Sequence, residues 1–284
     1  MGIKVEPNPD RSRRQNLPLQ LEVADKLLRF AATMTTEPRT TENLNPRRAY
    51  ILMALGAKTF ATFQSVQALL KLGMCEDSSA LVRIMYESAM IATFLAHAAD
   101  DQTVGDYADY FMFRNWRDHE LALQVNPEAA KAFAPEVLSQ MKVDFDAVRG
   151  RYDRNRGNNW TNFTAEAMAL RADDKLPSGF RVYEDLYAAI YRRASTFVHS
   201  DVRSIQEFFK EDAGGLSIQR PSTPERCADV MYAANFIMFA TCWVVTATFY
   251  GKRFVPEWNA LILEWNGTPG VTAWPDAAVK HFDD

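Results

Sequence analysis

Apolar residues recur every three or four positions over long stretches of this chain, and few segments alternate one by one. Leu19, Val23, Leu27 and Phe30 mark a first amphipathic helix over residues 18–33. Pro46 opens a second helix at a favoured first-turn position, and Gly73 follows its end near Leu72. A third helix continues from a cap at Asp77 or Ser78 to Ala99, and a fourth covers residues 103–123, carrying Tyr107, Tyr110, Phe111 and Trp116. A fifth covers residues 127–154 and breaks before Pro135, because the residue ahead of proline avoids the helical region. Helical spacing returns over residues 164–171, 181–199 and 202–210. A loop with Gly214, Gly215, Pro221 and Pro224 then leads to a long apolar segment, Val230 to Tyr250, and to a short last helix at residues 256–265. The pattern predicts an all-α, multi-helix bundle without an extended sheet. One helical domain is expected over residues 17–266, between a flexible arm at 1–16 and an irregular tail at 267–284.

Val230 to Tyr250 carries no charge and is long enough to span a bilayer. Asn235, Thr241, Thr246 and Thr248 interrupt it, and a helix apolar on all sides is also what the centre of a bundle requires. A buried core helix is therefore expected, with no other span in the chain. The N-terminal residues hold no apolar run that could serve as a secretory signal. Three cysteines, an odd number without CxxC spacing, argue against a disulfide framework and fit a reducing compartment. The expected location is cytoplasmic, with no membrane partner. A net charge of -4 does not favour an extended nucleic-acid surface.

Two segments hold residues that folding alone does not explain. Arg83 and Glu87 are the only charges between Ser78 and His97, and their spacing sets them on one helix face. On a helix apolar almost all round, the pair is expected inside the bundle, where an unpartnered charge is costly. It serves either to fix helix register or to face a ligand. The second segment runs from Tyr187 to Asp201. Arg192, Ser195 and His199 form one helical stripe there, with Tyr191 one turn before Ser195. Ser195 can hydrogen-bond His199, although no nucleophile-elbow motif accompanies it. His199 could equally cap a helix C-terminus as a cation.

The order Arg-x-x-x-Glu in an early apolar helix, a tryptophan-led loop (Asn158, Asn159, Trp160), then Tyr-x-x-x-Ser-x-x-x-His resembles the uncharacterised, mainly bacterial family named domain of unknown function 5677. The resembling part covers residues 49–209, and the last long helix is expected to belong to it. Carried across, the marked positions are Arg83, Glu87, Trp160, Tyr191, Ser195 and His199. The resemblance implies no activity. A looser similarity links Arg192 or Arg193 and His199 to HEPN ribonucleases, whose Arg and His are separated by four to six residues. That family implies metal-independent RNA cleavage at a homodimer cleft, with Arg stabilising a pentacovalent phosphate and His moving a proton. Ala194 departs from its usual polar residue.

Other candidates carry less. His97 and His119 are isolated, and no HExxH or His-x-Glu spacing occurs, so no metal or cofactor is implied. Asp100, Asp101, Asp106 and Asp109 read as a helix start and its solvated face. Arg149, Arg151, Arg154 and Arg156 could meet a phosphate backbone beside Trp160, but a solvated helix end accounts for them. The leading expectation is an interaction or sensing module for an unknown ligand or protein partner. The alternative is a HEPN-like ribonuclease acting on RNA as a homodimer, in which Arg192 and His199 are catalytic.

Overall fold

The computed structural model of the chain describes residues 16–41, 44–128, 133–152, 160–174, 176, 181–192, 195, 208–212, 215–218 and 222–267. Within them the fold is all-α apart from one short hairpin. Helix α1 spans Leu17–Thr36, α2 Pro46–Lys71 and α3 Cys75–Thr93, the last widening into a π turn at Phe94–Ala98. Helices α4 (Asp101–Val125) and α5 (Pro135–Tyr152) pair with each other. Helix α6 (Ala165–Asp173) precedes α7 (Val182–Leu186), which passes into a second π turn at Tyr187–Tyr191. Strands β1 (Phe209–Asp212) and β2 (Gly215–Ile218) pair antiparallel. Helices α8 (Pro224–Phe249) and α9 (Val255–Gly267) follow.

Local chemistry sets the helix ends. Asn16, Asn45 and Thr223 each accept a hydrogen bond from a backbone N–H of the first turn, and each is followed within two residues by proline. Gly73, with φ of +74°, closes α2 in the left-handed conformation that costs glycine least. Helix α3 starts earlier than its polar residues suggested. Met74 occupies the cap position without a side-chain bond, while Glu76 and Asp77 lie in the first turn, where negative charge is favoured. Residues 209–210 also differ from expectation: they form a strand, not a helix end, because the chain reverses into the β1–β2 hairpin.

Helix α8 is the axis of the core. It packs against α1, α2 and α3 and is buried from Cys227 to Val244 apart from Asp229. That accounts for its apolarity on every side. Several of its polar residues find partners inside. Asn235 Nδ2 donates to the Gln20 backbone oxygen at 2.9 Å and to Gln20 Oε1 at 3.0 Å, and both residues are fully buried. Thr241 donates to the Ile237 carbonyl at 2.9 Å, and the Tyr250 hydroxyl donates to the Met34 carbonyl. Two helices, Cys75–Ala98 and Pro224–Phe249, are long and apolar enough to cross a membrane by length and composition, so α8 is not alone in this as the sequence pattern implied. Their most apolar stretches are 56% and 89% buried, respectively.

A second, smaller core joins α4 to α5 through Phe113, Phe145, Val148 and Tyr152. Ion pairs fasten this pair of helices to each other and to α2: Arg47 to Asp109 at 3.2 Å, Arg151 to Asp109 at 2.8 Å and Arg48 to Asp101 at 2.9 Å. The aspartates of α4 are thus only partly a solvated face. Asp100 caps the helix through the Thr103 N–H, whereas Asp101, Asp106 and Asp109 hold arginines. Arg151 is likewise engaged, Arg149 pairs with Asp146 at 3.4 Å, and Arg154 and Arg156 lie outside the described residues.

Candidate binding site

Arg83 and Glu87 project from one side of α3, with Arg83 Nη2 and Glu87 Oε1 3.2 Å apart. The Arg83 side chain is 16% exposed and that of Glu87 38%. The pair therefore sits at the rim of the bundle, not inside it. Helix α3 is less enclosed than its composition suggests, because Asp77, Ile84 and Glu87 fall on a narrow stripe open to solvent.

What covers Arg83 is tyrosine. Its guanidinium lies 5.0 Å from the centre of the Tyr191 ring, a favourable position for a cation against a π face. Tyr187 and Tyr191 stack at 5.2 Å with ring planes 15° apart. The π turn carries both, and its widened geometry brings side chains four residues apart into line. Tyr86, from α3, packs on Tyr191 at 5.4 Å. Burial pushes the Tyr191 hydroxyl above its ordinary pKa and the Glu87 charge adds to this, while Arg83 opposes both.

Beneath this surface a buried network fixes α7. The Tyr86 hydroxyl donates to the Tyr183 carbonyl at 2.7 Å, and the Tyr183 hydroxyl meets that of Thr93 at 2.6 Å. Asp173, at the end of α6, accepts from the backbone N–H of Tyr183 at 2.9 Å and of Glu184 at 2.7 Å, so its carboxylate satisfies two donors at the start of α7. Burial raises the Asp173 pKa to about 7, although those two hydrogen bonds pull it down.

Tyr187 also borders an open groove. Glu166 and Leu170 of α6, Arg181, Glu184 and Asp185 at α7, and Tyr187 and Arg192 line it. Arg181 is engaged by Glu184. Burial, then the neighbouring Glu184, raises the pKa of Asp185, so its charge is incompletely compensated.

The structure thus brings Arg83, Glu87 and Tyr191 together. Ser195 is tied to the same turn, its hydroxyl donating to the Tyr191 carbonyl at 2.6 Å. Arg192 is exposed and lines the groove. Trp160 is a core residue: it packs edge-on against Tyr107 at 4.9 Å and against Phe94 at 6.3 Å, near the far end of α3 from Arg83. His199 lies outside the described residues, and with it the Arg–His pair of the ribonuclease expectation. Sequence reasoning passed over Tyr183, Tyr187, Asp173 and Asp185. The four-residue spacing of Tyr183, Tyr187 and Tyr191 was the available signal for the aromatic part. Among the described residues no group of three or more His, Cys, Asp or Glu is arranged to hold a metal.

Residues 49–216 match the family of unknown function DUF5677. The chain belongs to this family. The matched segment contains every element of the site, from α3 through the π turn after α7. It ends within β2, so α8, on which α3 packs, falls outside it. No curated protein and no solved structure matches the chain.

Proposed function

We propose that this DUF5677 member is an interaction module that receives a polypeptide segment carrying a basic side chain. The observation that carries this reading is the half-exposed Glu87 carboxylate beside stacked Tyr187 and Tyr191, next to a groove with Glu166 and Asp185. Arg83 and Arg181 engage Glu87 and Glu184, and a guanidinium or ammonium group in the groove meets Glu166, Asp185 and the Tyr187 π face. Arg192 supplies a donor for a carbonyl or carboxylate of the same segment. Ser195 and the π turn position the tyrosines and make no chemical demand of their own.

The reading goes with a cytoplasmic protein, supported by the burial of α8 among α1, α2 and α3. Recovery of the expressed chain solely in detergent-extracted membranes would count against it.

The binding test is calorimetric titration with an oligoarginine peptide, with oligoglutamate as control. Oligoarginine should bind, oligoglutamate should not, and Glu87→Gln and Asp185→Asn should each weaken binding by about tenfold, a loss near 1.4 kcal/mol. Equal binding of both peptides, or unchanged affinity in both variants, contradicts the proposal. Metal-independent RNA cleavage by pure protein in EDTA, abolished by His199→Ala with the fold intact, would replace it with the ribonuclease reading.

A further inference from the structure

We infer that the outer face of α4 is a self-complementary surface on which a second copy of this chain docks antiparallel. The inference is independent of the groove, and its test does not use a ligand.

Helix α4 carries one continuous stripe with alternating spacings of three and four residues: Val104, Tyr107, Phe111, Arg114, Asp118, Leu121 and Val125. Its first part faces the body of the protein, where Val104 is fully buried and Tyr107 packs on Trp160. Beyond Tyr107 the apolar residues of the same stripe are exposed. Phe111 is 67% exposed, Leu121 59% and Val125 81%. The opposite side of the helix is the one used by α5, through Phe113. From Phe111 to Val125 the uncovered length is about 20 Å, enough for two turns of a partner helix on either side of a centre.

The charges on the stripe select the partner. Arg114 and Asp118 form an i,i+4 pair at 2.9 Å, in the order that stabilises an isolated helix least. When two α4 helices cross antiparallel about a twofold axis midway between Arg114 and Asp118, Phe111 of one copy meets Leu121 of the other. Arg114 then meets Asp118, and Asp118 meets Arg114. Each apolar residue finds an apolar one and each charge its opposite, without any change of register. A parallel arrangement in register would instead set Arg114 on Arg114 and Asp118 on Asp118. The twofold contact is isologous, so it closes at two copies. A seam of one helix per chain falls below the roughly 1,200 Å² of a standard interface, which points to a dimer that dissociates at about micromolar concentration.

Sedimentation velocity over a concentration series, from about 1 to about 200 micromolar, reads the equilibrium directly. Wild type should pass from monomer to dimer. Leu121→Asp should remain monomeric with an unchanged melting temperature, because the residue is exposed in the single chain. Asp118→Arg and Arg114→Asp should each be monomeric alone, since each opposes like charges across the axis. Mixed together they should dimerise, because the first then offers two arginines to the two aspartates of the second. A wild type that stays monomeric throughout, or a dimer that survives Leu121→Asp or Asp118→Arg, overturns the inference. So does failure of the two charge variants to pair when mixed.

Discussion

Replacing Asn235 by leucine should destabilise the protein, although it makes an apolar helix more apolar. Asn235 Nδ2 is the donor to Gln20 Oε1, and both side chains are shut off from solvent. Without it the Gln20 amide keeps its desolvation penalty and loses its partner, which costs about 1–3 kcal/mol. Gln20→Leu alone should cost less, about 0.5–1.5 kcal/mol, because Asn235 Nδ2 keeps its hydrogen bond to the Gln20 backbone oxygen. Replacing both removes the buried amides together, and near-isosteric hydrophobic groups in their place should leave stability within about 1.5 kcal/mol of wild type. The double-mutant cycle therefore predicts a coupling energy of about 1–3 kcal/mol. Urea unfolding followed by tryptophan fluorescence and far-ultraviolet dichroism measures all four proteins. A coupling below about 0.5 kcal/mol would show that α1 and α8 do not meet through these residues. An Asn235→Leu protein more stable than wild type would refute the buried pairing itself.

The rim position of the ion pair sets a modest cost for Glu87→Ala, about 0.5–1 kcal/mol in chemical denaturation, as for other pairs open to solvent. Arg83→Ala should cost more, about 1–3 kcal/mol, because its stem and guanidinium pack under Tyr191. Tyr86→Phe should lose about 0.5–1.5 kcal/mol through the hydrogen bond to the Tyr183 carbonyl, read as a lower denaturation midpoint. Asp173 should make stability pH-dependent. Its folded-state pKa is raised to about 7, so the stability its protonation contributes is full below the ordinary carboxylate range and is lost as pH rises through about 7. Asp173→Asn should lack that decline, and parallel melting-temperature profiles for the two proteins between about pH 5 and 8 would contradict the assignment.

Helical period and punctuation carried the architecture. Proline after Asn45 and Thr223, and glycine after Leu72, mark helix ends by mechanisms that need no tertiary context. The four-residue spacing of Arg83 and Glu87 likewise survives folding as a contact. Burial was harder to read. Helix α3 looked enclosed because its apolar residues outnumber its polar ones, yet one stripe through Ile84 and Glu87 stays open, and only the placement of neighbouring helices decides that. Trp160 looked like part of the site because of its place in the chain order, but packing assigns it to Phe94 and Tyr107. The π turn was not legible, because a single widened turn over Tyr187–Tyr191 leaves no mark in the spacing of apolar positions. Directly after it Arg192 lines the groove, while Tyr191 stays over Arg83.

The most direct test of the binding site is a nuclear magnetic resonance titration of protein carrying ¹³C-labelled tyrosine rings with the oligoarginine peptide. The account predicts that the Tyr187 and Tyr191 resonances shift together and saturate with the peptide, while Tyr232, buried on α8, stays in place. Peptide binding that moves other tyrosines and leaves Tyr187 and Tyr191 unchanged would contradict it.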